Sequence, residues 1–336
     1  MKVAVCSAQS YDRQFLLAAN RDSGQELMFF DSHLCEETRQ MVADFPAVCV
    51  FVNDTLNAAV LQTLAAQGTR LIALRCAGFN NVDIQAANSL GLRVVRVPAY
   101  SPHSVAEHSV GLMLALNRHL HQAYNRVRNG NFALHGLLGF ELRGKTAGIV
   151  GTGRIGAAVA RILHGFGCRL IAHDPRRNPE CISLGVEYVS LEQLYADSDI
   201  ITLHCPLNWQ THHLIDRTAI TRMKRGVMLI NTSRGGVIDT LAVIEGLKSS
   251  KIGCLGLDVY EQEGDLFFQD LSDQVIQDDV FERLLTFPNV LITGHQGFFT
   301  AEALSSIAQT TLQNISVFER DGICQNEVTV ELLRAD

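Results

Sequence analysis

Short runs of β-favouring apolar residues recur through the first hundred positions, at Val3 to Cys6, Leu27 to Phe30, Val48 to Val52, Leu71 to Leu74 and Val94 to Val97. The stretches between them are each long enough for one crossover helix, which is the spacing of parallel strands rather than of hairpins. Gly68 and Gly91 stand where a helix has to stop before the next strand, a place that favours a residue tolerant of the left-handed conformation. The pattern predicts a five-stranded parallel α/β unit.

Pro98-Ala-Tyr-Ser-Pro102 interrupts this alternation and reads as a linker. Ser104-Val-Ala-Glu107 then has capping-box spacing, and the apolar period after it predicts one long helix to about Arg128. A second alternation begins at Lys145, with strands expected at Ala147 to Val150, Leu170 to His173, Ile200 to His204, Val227 to Asn231, Cys254 to Leu257 and Val290 to Thr293. That is a doubly wound fold in its own right. Ala301 to about Arg320 reads as a last helix that returns to the first unit. The expected fold class is α/β, with two Rossmann-like or flavodoxin-like doubly wound parallel-sheet domains. One comprises residues 1–100 plus 300–336 and the other residues 101–299, with an active-site cleft between them and hinges near 98–103 and 296–300.

Composition narrows the function. A chain of 336 residues suits two cores, and 47% hydrophobic with 19% charged residues is the balance of a folded globular protein. The net charge of −7 gives no support to a nucleic-acid partner. Without an apolar run of membrane-spanning length or a signal-peptide core, no membrane partner is expected and the expected location is cytoplasmic. The nine cysteines form no Cys-x-x-Cys pair and no Cys/His cluster at ligand spacing. They read as free thiols, with neither disulfides nor a metal site expected.

The strongest local signal is Gly151-Thr-Gly153-Arg154-Ile155-Gly156, which follows an apolar strand and opens a helix. In that setting the first glycine permits the tight turn, the second lets a pyrophosphate reach the backbone, and the third lets helix and sheet pack closely. Asp174 ends the next strand about 20 residues on, where a carboxylate accepts ribose hydroxyls and repels a 2′-phosphate. NAD is therefore the expected cofactor, although Arg176-Arg177 just downstream leaves some use of NADP open.

Three further segments place polar groups at strand ends: Asn231-Thr232-Ser233-Arg234, Asp258-Val-Tyr-Glu-Gln-Glu263 and Thr293-Gly-His295-Gln-Gly-Phe298-Phe299. With Ala73-Leu-Arg-Cys-Ala-Gly-Phe-Asn-Asn-Val-Asp83 and Val95-Arg-Val-Pro-Ala-Tyr100, they make the whole chain resemble the D-isomer-specific 2-hydroxyacid dehydrogenases, and among these the bacterial fermentative D-lactate branch. The resemblance implies NADH-dependent, reversible reduction of pyruvate to D-lactate. It implies that Arg234 binds the substrate carboxylate and polarises the keto group. It implies that His295 is the general acid and base, oriented by Glu263. It also places the substrate near Ala77, Gly78, Tyr100 and Phe298, and the nucleotide near Arg154, Ile155, Cys205, Pro206, Thr232, Ser233, Arg234 and Asp258.

Where much of the wider family has proline before the reactive histidine, this chain has Gly294, and Gln296 follows. Phe298 and Phe299 are bulky enough to favour a small keto acid, while a larger one such as phenylpyruvate or 2-oxoisocaproate stays open. A non-catalytic NAD-sensing protein could keep the same residues. A phosphoglycerate dehydrogenase would call for extra cationic groups. The resemblance further implies a homo-oligomer, dimer or tetramer, using the long helix from Ser104. No role is assigned to the segment 262–283.

Overall fold

The computed structural model describes residues 1–332 and divides into two compact units, Met1–Ser101 with the segment from Phe299 onward, and Pro102–Phe298. Positions 333–336, counted above with the first domain, lie outside the described residues.

The first unit holds a five-stranded parallel sheet, β1 (Lys2–Val5), β2 (Glu26–Phe29), β3 (Ala47–Val50), β4 (Leu71–Leu74) and β5 (Arg93–Val95), in the order β2-β1-β3-β4-β5. β3 and β4 are buried at every position, as expected of central parallel strands covered on both faces. The Ala301–Asp321 helix lays Ala308, Leu312 and Ile315 against Val3, Val5, Cys49 and Leu71 of this sheet. Each such Leu or Ile taken out of water contributes about 1.5–3 kcal/mol.

The second unit carries β6 (Thr146–Val150), β7 (Arg169–His173), β8 (Glu187–Tyr188), β9 (Ile200–Leu203), β10 (Val227–Asn231), β11 (Ile252–Leu257) and β12 (Val290–Ile292). They form a seven-stranded parallel sheet in the order β12-β11-β10-β9-β6-β7-β8. The two-residue β8 was not expected; it is too short to show a period, and its Glu187 is exposed. Alternation along the strands divides the core: Ile200, Met228 and Ile230 face the Pro102–Asn117 helix, while Ile201, Val227 and Leu229 face the layer on the other side.

The single long helix expected from Ser104 to Arg128 is two helices, Pro102–Asn117 and Leu120–Arg128. Asn117 turns both ends of its amide to the Phe140 backbone, and His119 adopts a left-handed φ of 50°. The capping-box reading fails as well. The helix opens at Pro102, whose fixed φ suits a first turn, and Ser104 lies inside it, donating to Gly297 O at 2.8 Å.

Candidate active site

The strand order of the second unit reverses between β6 and β9, the place where open α/β sheets receive ligands. Gly151 follows β6 and Cys205-Pro206 follow β9. Gly151 has φ +90°, and a Cβ there would come within 2.7 Å of the backbone of His204 and Cys205. A Cβ on Gly156 would collide with Gly151 O. Gly153 differs from both. Its φ is −64°, which any residue adopts, and a Cβ there would meet no protein atom within 4 Å. Neither backbone conformation nor protein packing calls for glycine at 153, and its missing side chain leaves the space in front of the backbone open. The Arg154–Gly165 helix starting there has no side-chain cap, whereas those starting at Arg217, Thr240 and Asp279 are capped by Asp216, Asp239 and Asp278. Its first N–H groups, from exposed Arg154 and half-buried Ile155 onward, are left for an anion. These residues fit a dinucleotide pyrophosphate.

Asp174 ends β7 beside that turn. Its Oδ2 accepts from Thr152 N at 2.6 Å and Oγ1 at 3.2 Å, and its Oδ1 accepts from Arg176 N at 2.7 Å. Carboxylate oxygens retain further acceptor capacity for ribose hydroxyls. Tyr188 and Asn178 brace the same place, through bonds to Thr152 Oγ1 at 2.9 Å and Thr152 O at 2.8 Å. The Arg177 guanidinium lies over the Tyr188 ring, while Arg176 is exposed. Asp174→Ala is expected to lower kcat/KM with NADH about tenfold and to narrow the preference over NADPH; an unchanged ratio of the two kcat/KM values would remove the ribose role. Across the switch point, Cys205 is 8% exposed and burial pushes its thiol up to about 11, so it packs as a neutral side chain beside exposed Pro206.

Arg234 follows β10 in a loop tied down by Asn231, whose Nδ2 donates to Arg234 O at 2.9 Å and whose Oδ1 accepts from Ser233 N at 3.0 Å and Oγ at 2.8 Å. Buried Thr232 is anchored by its hydroxyl to Ser109 Oγ at 2.8 Å. The half-buried guanidinium of Arg234 donates one bond, to Ser233 O at 2.7 Å, out of five available N–H groups.

His295 and Glu263 meet: Nδ1 of the imidazole lies 2.8 Å from Glu263 Oε1, with the two side chains 17% and 23% exposed. An ionised carboxylate only accepts, so Nδ1 carries a proton and Nε2 is left for other chemistry. Glu263 is fixed in turn by Tyr260 N, 3.0 Å from its Oε2. Phe268, whose φ is +66°, tilts its ring toward the imidazole at 5.7 Å, and Phe267 packs against Phe281. Besides Glu263, the 262–283 segment thus supplies a wall beside His295 through Phe268.

The support under His295 was not foreseen. Asp258 is 2% exposed, and its oxygens accept from Thr293 Oγ1 at 2.5 Å, Gln296 N at 2.9 Å and Gly297 N at 2.8 Å, with His108 Nε2 at 3.2 Å. Burial alone would raise this carboxyl, but the bonds from His108 and Thr293 hold it below the usual carboxylate range. The clamp fixes a tight loop in which His295 takes a left-handed φ of 53°. Asp258, expected beside the nucleotide, has both oxygens engaged within this loop. Ser104 and His108, one helical turn apart, were the available signal.

In the first unit Ala77 and Gly78 occupy the turn after β4, and their N–H groups make no hydrogen bond among the described residues. Tyr100 is half-buried beyond β5. Phe298 is 7% exposed in the second unit, whereas Phe299 belongs to the first and meets Tyr11 edge-on at 4.8 Å. Among the described residues no group of three His, Cys, Asp or Glu side chains is arranged to hold a metal ion, and no helix is long and apolar enough to cross a membrane.

A doubly wound unit with this glycine turn, a carboxylate after its second strand and a carboxylate-bound histidine has the make-up of a dinucleotide-dependent oxidoreductase. Residues 110–297 match the D-isomer specific 2-hydroxyacid dehydrogenase, NAD binding domain family. The chain is 56% identical over 328 residues to the D-lactate dehydrogenase of Escherichia coli, covering 98% of this chain and 100% of that one. The apo-structure of D-lactate dehydrogenase from E. coli superposes with a TM-score of 0.90 at 53% identity, covering 98% and 100% of the two chains. The D-lactate dehydrogenase from Aquifex aeolicus complexed with NAD and lactic acid does so with 0.86 at 32% identity, covering 97% and 98%. The chain belongs to the D-isomer specific 2-hydroxyacid dehydrogenases, as an NAD-dependent member.

Proposed function

We propose that the chain catalyses the reversible reduction of pyruvate to D-lactate, and the observation carrying this reading is the His295–Glu263 pair at 2.8 Å in the unit that bears the glycine turn. NADH, held by Gly151 to Gly156 and Asp174, supplies the hydride. In the second unit Arg234 pairs with the substrate carboxylate and draws charge from the keto oxygen, a task suited to a planar and permanently charged fork. His295 gives the Nε2 proton to that oxygen as C2 is reduced and recovers it in the oxidative direction, while Glu263 keeps the ring oriented. The Ala77 and Gly78 amides of the first unit receive the carboxylate, and Tyr100 of that unit and Phe298 of the second limit the substrate's far end. The names of the similar D-lactate dehydrogenases support pyruvate as the keto acid.

The test is NADH oxidation by the purified protein with pyruvate, 2-oxobutyrate, phenylpyruvate, 2-oxoisocaproate and hydroxypyruvate, with the product resolved by chirality. Pyruvate turned over fastest to D-lactate is the expected result. Preference for a bulky acid would overturn the substrate, and NADH binding without any turnover would overturn the enzyme.

The assembly is proposed to be a homo-oligomer. The Leu120–Arg128 helix buries none of its residues, and Leu120, Tyr124, Phe132, Leu134 and Leu138 are 55–92% exposed, a patch suited to a second copy of the chain. Sedimentation as a single 36.9 kDa species at micromolar concentration would refute it. Nine free cysteines suit a reducing cytoplasm; the activity is expected in the soluble cell fraction, and its recovery outside the cytoplasm would contradict this.

A further inference from the structure

We propose that Arg96 is a positioning residue for substrate binding, aiming the Gly78 amide by holding the peptide plane behind it. The turn after β4 has its carbonyls tied one after another. Val97 N donates to Cys76 O at 3.1 Å, Arg96 Nη1 donates to Ala77 O at 3.0 Å, and Cys76 Sγ donates to Gly78 O at 3.2 Å. In a trans peptide the carbonyl and the following N–H point in opposite directions. Fixing these three carbonyls therefore turns each N–H of Ala77, Gly78 and Phe79 away from the anchor of the carbonyl before it, and none of the three has a partner among the described residues.

The residues that carry these amides are half-buried, and successive unpaired backbone N–H groups in a turn are suited to receive an anion. Of their three anchors only Arg96 is charged. A charge-assisted bond is roughly twice as strong as a neutral one, and by polarising the Ala77–Gly78 peptide it makes the Gly78 N–H a better donor.

Arg96 is itself held for this. Its N donates to Asn326 O at 3.0 Å and its O accepts from Asn314 Nδ2 at 3.0 Å, while Asn326 Nδ2 donates to Asn314 Oδ1 at 2.8 Å. The guanidinium lies 5.0 Å over the Phe79 ring, clamping the far side of the same turn. Neither bulk composition nor the substrate reading had a use for this residue, and a surface arginine would need none of these restraints.

The inference rests on the reading that the Ala77–Gly78 amides receive the substrate carboxylate. In the full-length protein with saturating NADH, Arg96→Met is expected to raise KM for pyruvate and the inhibition constant of oxamate together by about tenfold. The kcat should stay within about threefold, with the NADH dissociation constant and the melting temperature near their original values. Arg96→Lys, which restores a cationic donor, should recover part of the loss. Unchanged KM and oxamate inhibition in folded Arg96→Met would overturn the proposal, as would parallel losses of kcat and NADH affinity, which mark a merely structural role. Gly78→Pro deletes the aimed amide. If it weakens pyruvate and oxamate while Arg96→Met does not, Arg96 has no part and the carboxylate site stands; if neither folded variant shifts them, the carboxylate reading falls too.

Discussion

His295→Gln is expected to lower kcat for pyruvate reduction about 1,000-fold, with NADH affinity changed less than twofold. A positioned acid contributes roughly 100- to 10,000-fold to a proton transfer, and glutamine keeps a polar side chain while being unable to give up a proton. The geometry says why the loss should appear in kcat. His295 reaches its place through a left-handed backbone turn clamped by Asp258, and Glu263 holds Nδ1 at 2.8 Å. These restraints orient Nε2 and touch nothing in the glycine turn from Gly151 to Gly156. Steady-state rates at saturating NADH, with NADH titrated separately by fluorescence, provide the check. A folded variant keeping more than a tenth of the original kcat would remove His295 as the proton donor.

Much of this fold is legible in the sequence alone. Central strands of a sheet covered on both faces read as near-continuous apolar runs, so β3 and β4 stand out as short unbroken ones. The glycine turn was legible because its three glycines answer to three separate demands, and the structure separates them: a positive φ at 151, open space at 153 and a backbone collision at 156. What stayed hidden was set by contacts between residues far apart in sequence. Nothing local to Asn117 announces that its amide will bind Phe140 and end a helix. Nothing around Asp258 says that its oxygens will clamp the turn at residues 296 and 297. Asp258 ends a strand on the ligand side of the sheet, and its burial and its bonds tie it to the loop that carries His295.

Arg234→Lys is expected to lower kcat/KM for pyruvate about 100- to 1,000-fold, although the charge is retained. An arginine meets a carboxylate with two parallel N–H groups in one plane, whereas an ammonium offers a single point of contact and stronger hydration. The loss should divide between KM and kcat, because the same fork is proposed both to bind the carboxylate and to polarise the keto oxygen, and only the second contact strengthens as charge develops. The loop itself should survive the change. Its Asn231 bonds to Arg234 O and to Ser233 involve no Arg234 side-chain atom, and the change disturbs only the Arg234 Nη1 bond to Ser233 O, so the melting temperature is expected to hold. A rise in KM alone, with kcat intact, would leave Arg234 as a carboxylate anchor and pass polarisation of the keto group to His295. Retention of kcat/KM within tenfold would take Arg234 out of substrate recognition, since a lysine could then do its work.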